Sequence, residues 1–142
     1  ILEEFRNNVQ LKKDYLKDLL SSIKTIALIG ASPDKKRDSY KVMKYLLKKG
    51  YEVFPINPNE ADNKILGKQC FSNLREIEVK IDMVDIFRAK EFVMDITEDA
   101  IDIGAEIIWT QEGIVDEESS KKAQKSGIIF IMDECPKKIL EN

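Results

Sequence analysis

The stretch Ile26-Ala27-Leu28-Ile29-Gly30-Ala31-Ser32-Pro33 decides the fold: an apolar run stops at a glycine and two small residues, and Lys35, Lys36 and Arg37 follow. A strand that feeds a small-residue loop and then a helix is how α/β proteins offer backbone N–H groups and a helix N-terminus to phosphate oxygens. An anionic, nucleotide-like ligand is the first expectation.

Strands and helices alternate outward from this point. An amphipathic segment with Leu11, Tyr15, Leu16, Leu19, Leu20 and Ile23 at helical spacing precedes a strand over 24–30. Ser39 is placed to cap a helix carrying Val42, Met43, Leu46 and Leu47, and Gly50 to end it. A second strand over 51–56 meets the turn signal Asn57-Pro58-Asn59. Residues 61–79 read as polar and irregular, with Gly67 and one helical turn near Leu74. A third strand over 81–87 leads to a helix carrying Phe92, Val93, Ile96, Ala100 and Ile103, and a fourth strand covers 106–110. A helix over 116–126 has acids at its start and lysines at its end, as the helix dipole prefers. A fifth strand over 127–132 and a closing turn or helix over 136–140 complete the chain.

Apolar strands alternating with helices imply a parallel sheet covered on both faces. Right-handed crossovers then give a Rossmann-like, doubly wound α/β fold of five parallel strands in the order 3-2-1-4-5, with an extra N-terminal helix. Residues 1–23 form that helix and 24–142 a single domain. Ligands of such sheets bind beyond the carboxyl ends of the strands, here at the switch point between the first and fourth, where the loops after Gly30, Ile56, Phe87 and Trp109 converge.

Composition excludes several classes. The 142 residues are 43% hydrophobic and 35% charged, with no apolar run that could span a bilayer, so a cytoplasmic protein without membrane contact is expected. Ile1-Leu2-Glu3-Glu4-Phe5 lacks a starting Met and the basic-then-apolar order of a signal peptide, and reads as a trimmed end. A net charge of −3 gives no footprint for nucleic acid, so phosphate binding must be local. Cys70 and Cys135 form no CxxC pair, and no metal site is indicated. The absence of histidine removes Ser-His-Asp and Cys-His nucleophiles and phosphohistidine chemistry. No residue is assigned a catalytic role, although a carboxylate, Lys or Tyr could still move protons.

The nicotinamide dinucleotide fingerprint wants GxGxxG after the first strand and an acid at the end of the second. Here Ala31 and Ser32 follow Gly30, and Asn57 stands where the acid would be, which disfavours an ordinary NAD site. No GK[ST] follows the glycine, so the Walker grip is missing too.

Gly30-Ala31-Ser32, Arg37 with Ser39-Tyr40-Lys41-Val42, Pro55-Ile56-Asn57-Pro58, Leu66-Gly67, Val84-Asp85-Ile86-Phe87-Arg88, Trp109-Thr110-Gln111-Glu112-Gly113-Ile114 and Cys135-Pro136 together resemble the small stand-alone coenzyme A-binding proteins. These are similar to the N-terminal domain of the succinyl-CoA ligase alpha subunit, and the likeness spans roughly residues 24–137. The resemblance implies that 24–142 binds coenzyme A, free or acylated, as a sensor, carrier or subunit. It places Gly30, Ala31, Ser32, Arg37, Ser39 and Tyr40 on the phosphate side, Asn57 and Pro58 on the adenosine side, and Phe87 and Arg88 under the adenine or pantetheine arm. Gln111 and Gly113 lie further along the pantetheine path. The ligand's ribose 3′-phosphate suits cations where NAD would want an acid. Ligase activity does not carry over, because histidine and the second ligase domain are lacking.

Two departures put negative charge near the phosphates: Glu134 where Arg is common before the Cys-Pro pair, and Asp38 where proline is common before Ser-Tyr. Other readings remain open. One is an enzyme using NAD(P) or acyl-CoA with a carboxylate or tyrosine catalyst; another is an interaction module whose nucleotide pocket is degenerate. Residue by residue, the open alternatives are solvated lysines, Trp109 as a core residue, and Arg88 paired only with Asp85. A homodimer or a protein partner is compatible with the N-terminal helix.

Overall fold

The computed structural model describes residues 2–141, with side chains described from residue 8 onward. The limits expected at Ile1 and Asn142 lie outside the described residues. In chain order the long elements are α1 (Leu2–Ser21), β1 (Thr25–Ile29), α2 (Asp38–Lys48), β2 (Glu52–Ile56), a hairpin of β3 (Lys64–Ile65) and β4 (Lys68–Gln69), β5 (Met83–Ile86), α3 (Val93–Asp102), β6 (Ile107–Thr110), α4 (Glu117–Lys125), β7 (Ile129–Ile131) and α5 (Pro136–Glu141).

Five parallel strands form one sheet in the order β2-β1-β5-β6-β7. This is the expected doubly wound, Rossmann-like α/β class, with one correction to the assignment of strands. Residues 83–86 lie beside β1, not beyond β2 where a third strand of the order 3-2-1-4-5 was placed. The position outside β2 is held by Phe71, in an isolated parallel bridge to Ile56. Counted as a vestigial third strand, Phe71 restores the 3-2-1-4-5 pattern, with β5 and β6 in the fourth and fifth places.

The residues explain the arrangement. All four residues of β5 are buried, as a central strand requires, whereas β2 carries Pro55, which has no N–H for a ladder and suits a strand near an edge. The segment expected to be irregular folds into the β3–β4 hairpin. Its turn, Leu66 at φ 50° and Gly67 at φ 77°, gives two successive positive φ values, the pattern of a tight hairpin turn. A leucine there sends no turn signal in the sequence.

Side chains alternate across the sheet into two layers. Ile26, Leu28, Met83, Ile107 and Trp109 pack against α1, α2 and α5 through Leu16, Leu20, Val42, Met43, Leu46 and Ile139. Ala27, Ile29, Val84, Ile86 and Ile108 pack against α3 and α4 through Val93, Ala100 and Ala123. Fully burying a leucine is worth about 1.5–3 kcal/mol, so Leu16 and Leu20 make α1 part of the core it covers. The Tyr51 hydroxyl adds a 2.5 Å hydrogen bond to the Leu20 carbonyl.

The helix after the glycine loop begins differently from its expected form. Arg37 is its N-cap and gives no side-chain cap, while Ser39 is the second residue of the first turn and is buried. Gly50 ends it as anticipated. At φ 98° its N–H donates to Leu47 O and that of Tyr51 donates to Leu46 O, the paired bonds of a Schellman motif. No helix among the described residues is long and apolar enough to cross a membrane.

Candidate functional site

Beyond the carboxyl ends of β1, β2 and β5 lies a polar cleft of about 390 Å³, lined by Gly30, Ala31, Ser32, Arg37, Asp38, Ser39, Asn57, Asn59, Phe87 and Arg88. Eight of the twelve residues singled out from the sequence meet here. The loops are drawn together by backbone contacts that a side chain at Gly30 would prevent. Gly30 has φ 89°, and a Cβ on it would stand 2.7 Å from the Phe87 carbonyl oxygen. On the other side, Asn57 Nδ2 donates to Ala31 O at 2.8 Å and Asn57 Oδ1 accepts from the Asn59 N–H at 2.9 Å. Asn57 therefore ties the β2 loop to the glycine loop, a role open to an amide and closed to a carboxylate.

The donors of the cleft are not those expected. Gly30 and Ala31 both give their N–H groups to the Ile56 carbonyl, at 2.9 and 3.2 Å, so neither is free for a phosphate. The Ser32 N–H has no hydrogen-bond partner among the described residues, and its hydroxyl accepts from the Asp34 N–H at 3.0 Å. The first turn of α2 supplies the rest. With no side-chain cap from Arg37, the N–H groups of Asp38, Ser39 and Tyr40 are the orphan donors that open a helix, at its positive dipole end. Arg37 projects beside them, its side chain 73% exposed and 4.0 Å from Asp34. The cleft thus brings a helix N-terminus and two arginines, Arg37 and Arg88, to its walls, with the Asp38 carboxylate as their opposing charge.

Four predicted residues fall elsewhere. Pro58 lines an adjoining, mostly apolar cleft of about 200 Å³ with Ile29, Ile56, Leu74, Phe92 and Ile96, joined to the polar one through Arg88. The Arg88 guanidinium lies over the Phe92 ring, 4.1 Å from its centroid. Tyr40 lines a different cleft, with Lys35, Lys41, Lys44, Tyr45, Lys48 and Lys137. Gln111 lines a cavity of about 170 Å³ with Cys135, Lys41 and Lys138, which shares Asp38 with the polar cleft. Gly113 lines none of these; its N–H donates to Asp133 Oδ1 at 2.6 Å. Of the basic run, only Arg37 reaches the polar cleft.

Asp38, expected to bring negative charge near the phosphates, does line the polar cleft, at the first position of the helix that faces it, whereas Asn59 was read only as part of a turn. Sequence reasoning missed the apolar cleft, whose parts come from four separate segments and carry no shared motif. Trp109 is core, fully buried, with its indole Nε1–H donating to Glu134 O at 2.9 Å. Glu134 lines none of these clefts: its carboxylate pairs with Lys12 of α1 at 3.0 Å.

Asp85 and Arg88 do not pair. Asp85 is fully buried between Leu28 and Trp109 in register, and neither carboxylate oxygen has a partner among the described residues. Burial pushes its carboxyl up to about 8, so it is largely protonated at neutral pH. Among the described residues no cluster of His, Cys, Asp or Glu could hold a metal ion.

A Rossmann-like sheet with a polar cleft beyond the carboxyl ends of its strands defines the class. Within it, the family model of the CoA binding domain matches residues 24–141, and the chain belongs to that family. The uncharacterized protein YneT of Bacillus subtilis is 35% identical over 125 residues, covering 88% of this chain and 91% of its own. A hypothetical protein of known structure from Pyrococcus horikoshii is 38% identical and superposes with a TM-score of 0.85, covering 91% of this chain and 89% of the other. The alpha subunit of the ADP-forming acetate–CoA ligase I of Pyrococcus furiosus is 30% identical over 95 residues. That match takes in 64% of this chain and only 21% of the ligase subunit.

Proposed function

We propose that this protein binds coenzyme A, free or acylated, as a non-catalytic sensor, carrier or subunit. The observation that carries the reading is the gathering of Ser32, Arg37 and the uncapped first turn of α2 around one cleft, in a chain whose family is defined by coenzyme A binding. The diphosphate occupies the polar cleft, held by the Ser32 N–H, the helix N-terminus and Arg37. The adenosine extends past Arg88 toward the apolar cleft of Pro58, Ile56, Leu74 and Phe92, where a purine face finds apolar walls. The pantetheine arm leaves in the other direction, past Asp38 toward Gln111.

The missing acid on β2 favours coenzyme A over NAD. Asn57 is committed to the Ala31 carbonyl and to the Asn59 N–H, so it offers no carboxylate to a ribose diol. The degenerate-pocket reading is weakened by Glu134, whose charge is met by Lys12 away from the cleft. Calorimetric titration with coenzyme A, dephospho-coenzyme A and NAD tests the proposal. Coenzyme A should bind, and loss of the 3′-phosphate should weaken binding by about tenfold, the worth of one charge-assisted contact. Binding of NAD with no binding of coenzyme A would overturn it.

A further inference from the structure

We propose that Cys135 is a site of reversible covalent attachment for coenzyme A, joined through a mixed disulfide to the pantetheine thiol. The inference rests on the coenzyme A reading and extends it to a chemistry at the far end of the same ligand.

The two cavities share a wall: Asp38 lines both the polar cleft and the small cavity that holds Cys135 and Gln111. A ligand whose phosphates sit at the first turn of α2 can pass this carboxylate and enter the cavity with its terminal arm. Gln111 gives an independent sign that the cavity is made for a ligand. The residue is more than nine-tenths buried, and its Oε1 has no hydrogen-bond partner among the described residues. Such an acceptor is costly unless something donates to it, and the amide N–H groups of a pantetheine arm are donors of the right kind.

The thiol lies in a cavity of mixed charge, where Lys41, Lys137 and Lys138 stand among Asp38, Glu112 and Glu141, and Glu112 holds the Lys138 ammonium at 2.8 Å. The attacking form of the thiol is the thiolate. Cys70 is different. It lines none of the described clefts, burial pushes its thiol up, and its Sγ is turned to the carbonyls of Asn57 and Phe71.

The step is thiol–disulfide exchange with the symmetric disulfide of coenzyme A, which serves as the oxidant. The Cys135 thiolate, its proton given to water, attacks one sulfur of the disulfide. A new S–S bond forms, the old one breaks, and one coenzyme A leaves as thiolate with the electron pair and takes a proton from solvent. Cys135 is oxidised and half of the disulfide is reduced.

Intact-mass and peptide mapping of the full chain after incubation with coenzyme A disulfide test this, with glutathione disulfide as the comparison. The expected result is a mass gain of one coenzyme A less two hydrogens on the Cys135 peptide, removed by dithiothreitol. It should persist in Cys70→Ser and be absent in a Cys135→Ser variant that retains its thermal transition. Docking of the nucleotide raises the local concentration of the disulfide, so labelling should be on the order of 10-fold or more faster than with glutathione disulfide. Equal rates with both disulfides, or labelling on Cys70, would overturn the proposal. Calorimetric binding of coenzyme A without any labelling would overturn it alone, whereas absence of coenzyme A binding would remove the proposed function as well.

Discussion

The α-carbon of Gly30 faces the carbonyl of Phe87 so closely that a methyl group on it would lie 2.7 Å from the Phe87 oxygen. The end of β1 and the end of β5 are thus seated against each other without a side chain between them. Both loops carry walls of the polar cleft.

Gly30→Ala is expected to damage both stability and binding. The positive φ alone costs about 1–2 kcal/mol for a residue with a Cβ, and the contact with the backbone adds to it. Chemical denaturation should show a lower midpoint, and titration a loss of coenzyme A affinity. A variant with unchanged stability would mean that the loops can part without cost.

Arg37→Ala tests the guanidinium that stands beside the first turn of α2. Its side chain is exposed and its carboxylate neighbour is distant, so its removal should leave the melting temperature nearly unchanged. Affinity for coenzyme A should fall about tenfold, the effect of one charge-assisted hydrogen bond, and the dependence of affinity on salt should flatten. Unaltered affinity would place the phosphates elsewhere.

Glu134→Gln separates a paired carboxylate from one that repels the ligand. Because Glu134 meets Lys12, the change should cost less than about 1 kcal/mol of stability, with a smaller difference at high salt. Coenzyme A affinity should stay within about twofold, far below the tenfold that 1.4 kcal/mol represents. A large gain in affinity would revive the reading of a pocket closed by its own charges.

Asp85 should make the protein less stable as pH rises. Its carboxyl is raised in the folded state from an ordinary value near 4 to about 8, so between those limits the folded chain holds a proton that the unfolded chain has released. The Asp85 contribution is fully present below pH 4 and is lost toward pH 8, at a slope of about 1.4 kcal/mol per unit. Asp85→Asn removes that slope. Urea midpoints measured from pH 5 to pH 8 should show the variant gaining on the parent as pH rises; a constant gap would refute the assignment.

Much of this architecture could be read from residue order. The alternation of apolar runs with amphipathic segments identifies the five strands, and Gly30, Gly50 and the Asn57-Pro58 turn fix three of their boundaries. What escaped depended on contacts between distant segments. The place of β5 beside β1 follows from which strand is buried on both faces, a comparison that no single strand's sequence contains. The Gly30 and Ala31 amides look free in the sequence because their acceptor, Ile56 O, belongs to another strand. Ser39 has the chemistry of a cap, yet the cap falls two residues earlier, at Arg37, and Ser39 is drawn inside the helix. Tyr40 follows from the same shift. Its side chain packs against the core and lines a cleft with the lysines of α2 and Lys137 of α5.

The family model begins at residue 24, but Leu16, Leu20 and Ile23 belong to the same hydrophobic cluster as Ile26, Leu28 and Trp109. Lys12 of the same helix meets Glu134 in the loop after β7, so α1 reaches from the core to the carboxyl end of the sheet. Shortening the chain to the span of the family model would uncover that core face and leave Glu134 without its cation.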